Sequence, residues 1–114
     1  MMKKIYLATP YTGTKQQQQS RFEIVNECAA RLMREGFLVF SPISHTHPIA
    51  LAGALPKGWE FWKEYDLTFI EWADEIYVLM QQGWEKSKGV TAEIKLAKEL
   101  KKPICYLQGG KRCK

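Results

Sequence analysis

Four short runs in this chain consist almost entirely of apolar side chains: residues 5–8 (Ile-Tyr-Leu-Ala), 37–40 (Phe-Leu-Val-Phe), 75–80 (Ile-Tyr-Val-Leu-Met behind Glu75) and 104–107 (Ile-Cys-Tyr-Leu). A strand with one wet face alternates apolar and polar residues, so an unbroken run has to be covered on both faces, as in a parallel sheet flanked by helices. The intervening segments repeat at helical spacing. Phe22, Val25, Ala29, Leu32 and Met33 form one stripe, stopped by Gly36. Residues 59–72 put Trp59, Trp62, Phe69 and Ile70 on a second, continued by Ala73, and Val90, Ile94, Ala97 and Leu100 form a third. Ser41 and Pro42 close the second run. Residues 44–48 (Ser-His-Thr-His-Pro) then read as a loop, with room for one helical turn in 49–55. The resulting β-α-β-α-β-α-β order predicts a three-layer α/β domain of flavodoxin or Rossmann type. Its four-stranded parallel sheet has the order 2-1-3-4 and right-handed crossovers.

At 114 residues with 46% apolar side chains, the chain has material for one core, expected over residues 1–108, with 109–114 as a basic tail. Three of the five net positive charges sit in that tail (Lys111, Arg112, Lys114), leaving a nearly neutral body. Nucleic acid is therefore not the expected partner, whereas a small anionic ligand fits. Cys28, Cys105 and Cys113 have no metal-like spacing and read as two reduced core thiols and a tail thiol. The apolar runs are too short to span a bilayer, and no secretory leader is recognisable. The expectation is a cytoplasmic protein without a membrane contact.

Two charges interrupt the apolar stripes. Glu93 lies on the Val90, Ile94 and Ala97 face, away from Thr91, Lys95, Lys98 and Lys102, and Asp66 lies between Trp62 and Phe69 on theirs. In an open parallel sheet ligands bind beyond the carboxyl ends of the strands where strand order reverses, here after the first and third strands. Residues 9–13 and 81–93 should meet there, with Asp66 reaching in. Ser87 suits an N-cap, Gly89 permits close approach, and the first turn offers free N–H groups to an anion. Two inward carboxylates beside such a helix end suit cleavage of a glycosidic bond in an anionic substrate. Each residue also has a plainer reading. Glu93 could pair with a lysine or arginine, Asp66 with Arg21 or a loop backbone, and Tyr6 could be core. Ser87 could be only a cap, and Arg21 could be solvated or bind phosphate. His45 and His47 could line the pocket or face solvent; no third ligand at a convincing spacing supports a metal. Four tryptophans exceed what a core this small can bury, pointing to a subunit interface or a nucleobase contact and to a homo-oligomer, a dimer or tetramer.

The run Ile5-Tyr6-Leu7, the segment from Tyr65-Asp66-Leu67 to Ala73-Asp74, and residues 87–93 followed by Ala97 and Lys102-Pro103 together resemble the nucleoside 2-deoxyribosyltransferase superfamily. The resemblance spans residues 4–107 and extends to the nucleoside 5′-monophosphate N-glycosidases and to small bacterial and phage members of unassigned function. It implies Glu93 as nucleophile, Asp66 as the acid assisting departure of the base, and Tyr6 as the hydroxyl orienting Glu93. Transferases carry an Asp six residues before the nucleophile. Ser87 stands there in this chain, as in the monophosphate hydrolases, which favours hydrolysis of a nucleotide. Thr9, Tyr11, His45, His47, Ser87 and Gly89 are the expected substrate contacts, and no metal or organic cofactor is required. The alternative from another class is a nucleotide-binding sensor or accessory protein that keeps the pocket without turnover.

Overall fold

The computed structural model describes residues 2–56 and 58–108, so the basic tail at 109–114, with Cys113, lies outside the described residues. The four apolar runs are strands: β1 (Lys4–Ala8), β2 (Leu38–Phe40), β3 (Glu75–Leu79) and β4 (Ile104–Leu107). They form one all-parallel sheet in the order β2-β1-β3-β4. Register pairs Tyr6 with Phe40 on one side and with Ile76 on the other.

Successive residues of a strand point to opposite faces, and each face has its own helices. Ile5, Leu7, Tyr77 and Leu79 pack with Val25, Cys28, Ala29 and Leu32 of α1 (Lys15–Arg34). Tyr6, Ala8, Ile76 and Val78 pack with Ile70 of α3 (Trp59–Trp72), the adjoining Ala73, and Val90 and Ala97 of α4 (Lys88–Glu99). The central strands β1 and β3 are unbroken apolar runs because neither of their faces meets water, whereas the edge strands β2 and β4 are only partly covered. α1 opens about two turns before its stripe: Thr14 and Gln17 form a capping box, which draws the glutamine run into the helix. Met33, expected in that stripe, is 52% exposed, and Leu100 at the end of α4 is exposed as well.

One expectation fails outright. The segment read as a loop with a single turn is a helix of three turns, α2 (Pro42–Gly53). Pro42 sits in its first turn, where a missing N–H costs nothing, but Pro48 lies inside it and leaves a carbonyl one turn back without its usual donor. Burial of Ile43, His47 and Ala50 offsets that loss. Lys102, placed by periodicity on the wet side, is instead half buried. Its Nζ donates to the carbonyls of Glu71 and Ala73 at 3.0 and 2.7 Å, satisfying the end of α3. Asp74 holds the start of β1: its Oδ2 accepts from the Lys4 N–H at 2.9 Å, and its own N–H donates to the Lys4 carbonyl. Cys28 is a buried free thiol, whereas Cys105, expected to be reduced, is half buried and disulfide-bonded. Among the described residues no helix is long and apolar enough to cross a membrane.

Candidate active site

Reversal of strand order between β1 and β3 opens a crevice at their carboxyl ends, and a cavity of about 410 Å³ lies there. The first loop contributes Thr9, Tyr11 and Thr12, and α4 contributes Ser87, Lys88, Gly89 and Glu93. Thr46 and His47 stand on the α2 wall, and Trp59, Trp62 and Asp66 on the α3 wall.

The centre of the site is a hydroxyl between two acids. Tyr6, wholly buried in β1, donates its Oη–H to Glu93 Oε2 in a short hydrogen bond. Both carboxyls are buried, Glu93 at 5% exposure and Asp66 at 8%. Among the described residues no ion pair reaches either of them, so the salt-bridge readings do not hold. Loss of hydration pushes Asp66 up to about 7, a rise that its contact with Tyr6 only partly opposes. Glu93 is raised well above the usual carboxylate range, by burial first and by the Asp66 charge second, with the Tyr6 hydroxyl again opposing. Burial, with the two acids adding to it, raises Tyr6 too, so its proton stays on. Near neutrality two carboxyls held this way share at most about one negative charge.

Ser87 caps α4, its Oγ accepting from the Val90 N–H at 3.2 Å, which leaves its hydroxyl proton available to the cavity. A Cβ on Gly89 would meet only Ser87 Oγ, at 4.0 Å, so open space adjoins the helix end. Lys88 adds an exposed cation there, which sequence reasoning overlooked although it sits between the two residues singled out. Thr9 lines the cavity with its hydroxyl already committed: it donates to the Leu79 carbonyl at 2.9 Å and accepts from Gln81 Nε2 at 3.0 Å, tying the two loops together. Arg21 does related work, its guanidinium donating to the Thr12 and Gln82 carbonyls. It is thus neither paired with Asp66 nor simply solvated.

The two histidines part company. His47 is buried and bonded to Tyr11 and Gln19. His45 is exposed, stacked on Tyr65 at 5.9 Å and outside the cavity, so its expected substrate contact is withdrawn. Two helical positions turn the rings by about 200° about the axis of α2, which a loop reading could not reveal. Among the described residues no group of three or more His, Cys, Asp or Glu could hold a metal ion. Two of the tryptophans, Trp59 and Trp62, are half buried on the cavity wall, and Trp62 Nε1 donates to the Pro56 carbonyl at 2.8 Å. Trp84 packs against Tyr106 instead, and Trp72 lies at the surface under Lys4.

A parallel 2-1-3-4 sheet with a crevice at the carboxyl ends of β1 and β3 defines an α/β protein of flavodoxin or Rossmann type, and its fold is similar to that of a 2-deoxyribosyltransferase. Six chains of solved structures match it. One is the 2-deoxyribosyltransferase from the psychrotolerant bacterium Bacillus psychrosaccharolyticus, at 25% identity and a TM-score of 0.59 over 92% of this chain and 72% of that one. No curated protein matches. The model of a family described as a domain of unknown function, DUF1937, matches residues 3–108, and the chain belongs to that family.

Proposed function

We propose that this protein is an enzyme that cleaves the N-glycosidic bond of a nucleoside 5′-monophosphate or nucleoside, by hydrolysis or by transfer, through a covalent ester on Glu93. The observation that carries the reading is the pair of buried carboxyls around the Tyr6 hydroxyl, at the floor of a cavity rimmed by a helix N-terminus. The likeness to a 2-deoxyribosyltransferase supports glycosyl chemistry on a nucleoside.

A pair sharing one proton supplies both roles that a retaining reaction needs. Tyr6 donates to Glu93, favouring the ionised form there, and Asp66 at about 7 keeps a proton to give at neutral pH. Glu93 attacks the anomeric carbon as positive charge develops, and Asp66 protonates the departing base. Water, or a second base in a transfer, then releases the sugar from Glu93. The Ser87 hydroxyl, the amides of the first turn of α4 and Lys88 are suited to a 5′-phosphate. The half-buried indoles of Trp59 and Trp62 offer the base a flat apolar wall. Exposed Ile49, Leu51 and Phe61 support a homo-oligomer, and the reading is of a cytoplasmic protein.

Incubation with a panel of nucleotides and nucleosides, followed by chromatography for free base, tests the proposal. Wild type releases base, and Glu93→Ala lowers the rate by roughly 10³-fold or more. Identical null traces for both proteins across the panel would refute catalysis. One observation favours the sensor reading: the raised Glu93 carboxyl is the wrong protonation state for attack unless the Tyr6 hydroxyl holds its charge against burial and Asp66. Calorimetry showing tight binding of an intact nucleotide without cleavage would decide for the sensor.

A further inference from the structure

A line of four side chains runs from the cavity to the outer surface of α1. Tyr11 Oη lies 2.5 Å from His47 Nδ1, His47 Nε2 lies 3.1 Å from Gln19 Oε1, and Gln19 Nε2 lies 2.9 Å from Glu23 Oε2. Its direction follows from the far end. Glu23 is exposed, and an ionised carboxylate accepts but cannot donate, so Gln19 turns its NH₂ toward Glu23 and its carbonyl toward the imidazole. That carbonyl needs an N–H at Nε2. In the neutral ring Nδ1 is then the acceptor, and Tyr11 directs its one hydroxyl proton onto it. Burial raises Tyr11 above the usual phenol range, so the proton is retained. The imidazole is 4% exposed and lies against Phe22, with ring centroids 4.5 Å apart. With both nitrogens engaged by protein, it acts on a ligand only through Tyr11.

We infer that His47 is a positioning residue that locks Tyr11 as a hydrogen-bond acceptor, so that this wall of the cavity selects a ligand group that donates, a sugar hydroxyl or an exocyclic amine, over an anionic oxygen. Phosphate is thereby left to the opposite wall, where Lys88 and the start of α4 stand. The direction of the chain is independent of the proposed activity; only the identity of the occupant rests on that reading.

Nitrogen chemical shifts of the histidine rings in the free, full-length protein test the direction. Near neutral pH, His47 shows a protonated Nε2 and a bare Nδ1, and Tyr11→Phe moves the Nδ1 signal far more than Nε2. A protonated Nδ1, whether as tautomer or imidazolium, overturns the inference. Calorimetric titration with 2′-deoxynucleoside 5′-monophosphates tests the selection. His47→Asn, whose amide oxygen can stand near the Nδ1 position, keeps affinity within about threefold, whereas His47→Leu and Tyr11→Phe each lose about tenfold. Wild-type affinity in both folded variants overturns the selection. If no nucleotide binds the wild type, the proposed function and the selection fail together, while the ring shifts still decide the direction.

Discussion

The two faces of the sheet are buried almost equally and are built by alternate residues of the same strands, yet they admit different chemistry. On the α1 face, Ile5 and Leu7 meet Val25, Cys28 and Leu32 in a mainly hydrocarbon layer. On the α3 and α4 face, Tyr6 occupies the equivalent depth, and Glu93 and Asp66 close on its hydroxyl where further leucine or valine would pack more favourably. Exposure does not explain that difference. A fold that can fill one side with hydrocarbon and leaves acids on the other is holding them there against its own stability, which is the pattern of a site kept for chemistry.

Shortening a side chain on the hydrocarbon face should cost most. Leu7→Ala is expected to lower unfolding free energy by about 2–5 kcal/mol in urea titrations, whereas Glu93→Gln leaves it unchanged or raises it. Equal losses would mean that the acids are structural and the contrast is false. Next in size is the dependence on pH. The folded chain holds an Asp66 proton up to about 7 that the unfolded chain releases near the ordinary 3.8. The unfolded state therefore binds fewer protons between those values. The Asp66 contribution to stability is complete below about pH 4 and falls by up to about 1.4 kcal/mol per unit as pH rises toward 7. Thermal melts across that interval should show the fall, and Asp66→Asn should make it shallower, leaving the share of Glu93, which is raised in the same direction. A wild-type melting temperature that climbs over the same range contradicts the assignment.

A smaller effect sharpens the contrast at the hydroxyl itself. Tyr6→Phe removes the donor that lowers both carboxyls, so the acidic limb of the rate profile moves to higher pH and kcat/KM falls about 10- to 100-fold near neutrality. An unchanged profile would remove Tyr6 from the mechanism. Smallest of all, His45→Ala should leave activity within about twofold, because its ring lies outside the cavity.

The four parallel strands, both carboxylates and the Ser87 cap were legible in the sequence because each depends on a local pattern: an unbroken apolar run, a charge at the wrong place in a stripe, or a capping residue just before one. α2 was not. Its residues carry weak helical preference and an internal proline, and the helix is specified by where Ile43, His47 and Ala50 land on other elements. The same limit hid the partners of His47, which come from positions 36 and 28 residues away. Lys102 was misread because periodicity predicts a direction for a helical residue, and this lysine lies past the end of α4 with a reach long enough to find the carbonyls of α3. Thr9 shows a further limit, since a hydroxyl at a cavity edge looks like a ligand contact until its two partners across the loops are counted.

Tyr6 and Leu7 are neighbours on β1, one serving the acids and the other the hydrocarbon layer. Sliding that strand by one position would send an isobutyl group toward the carboxylates and a phenol into the oily side at a single stroke. Alignment errors in folding are therefore self-penalising, because a misthreaded copy forfeits its core together with the hydrogen bond between Tyr6 and Glu93.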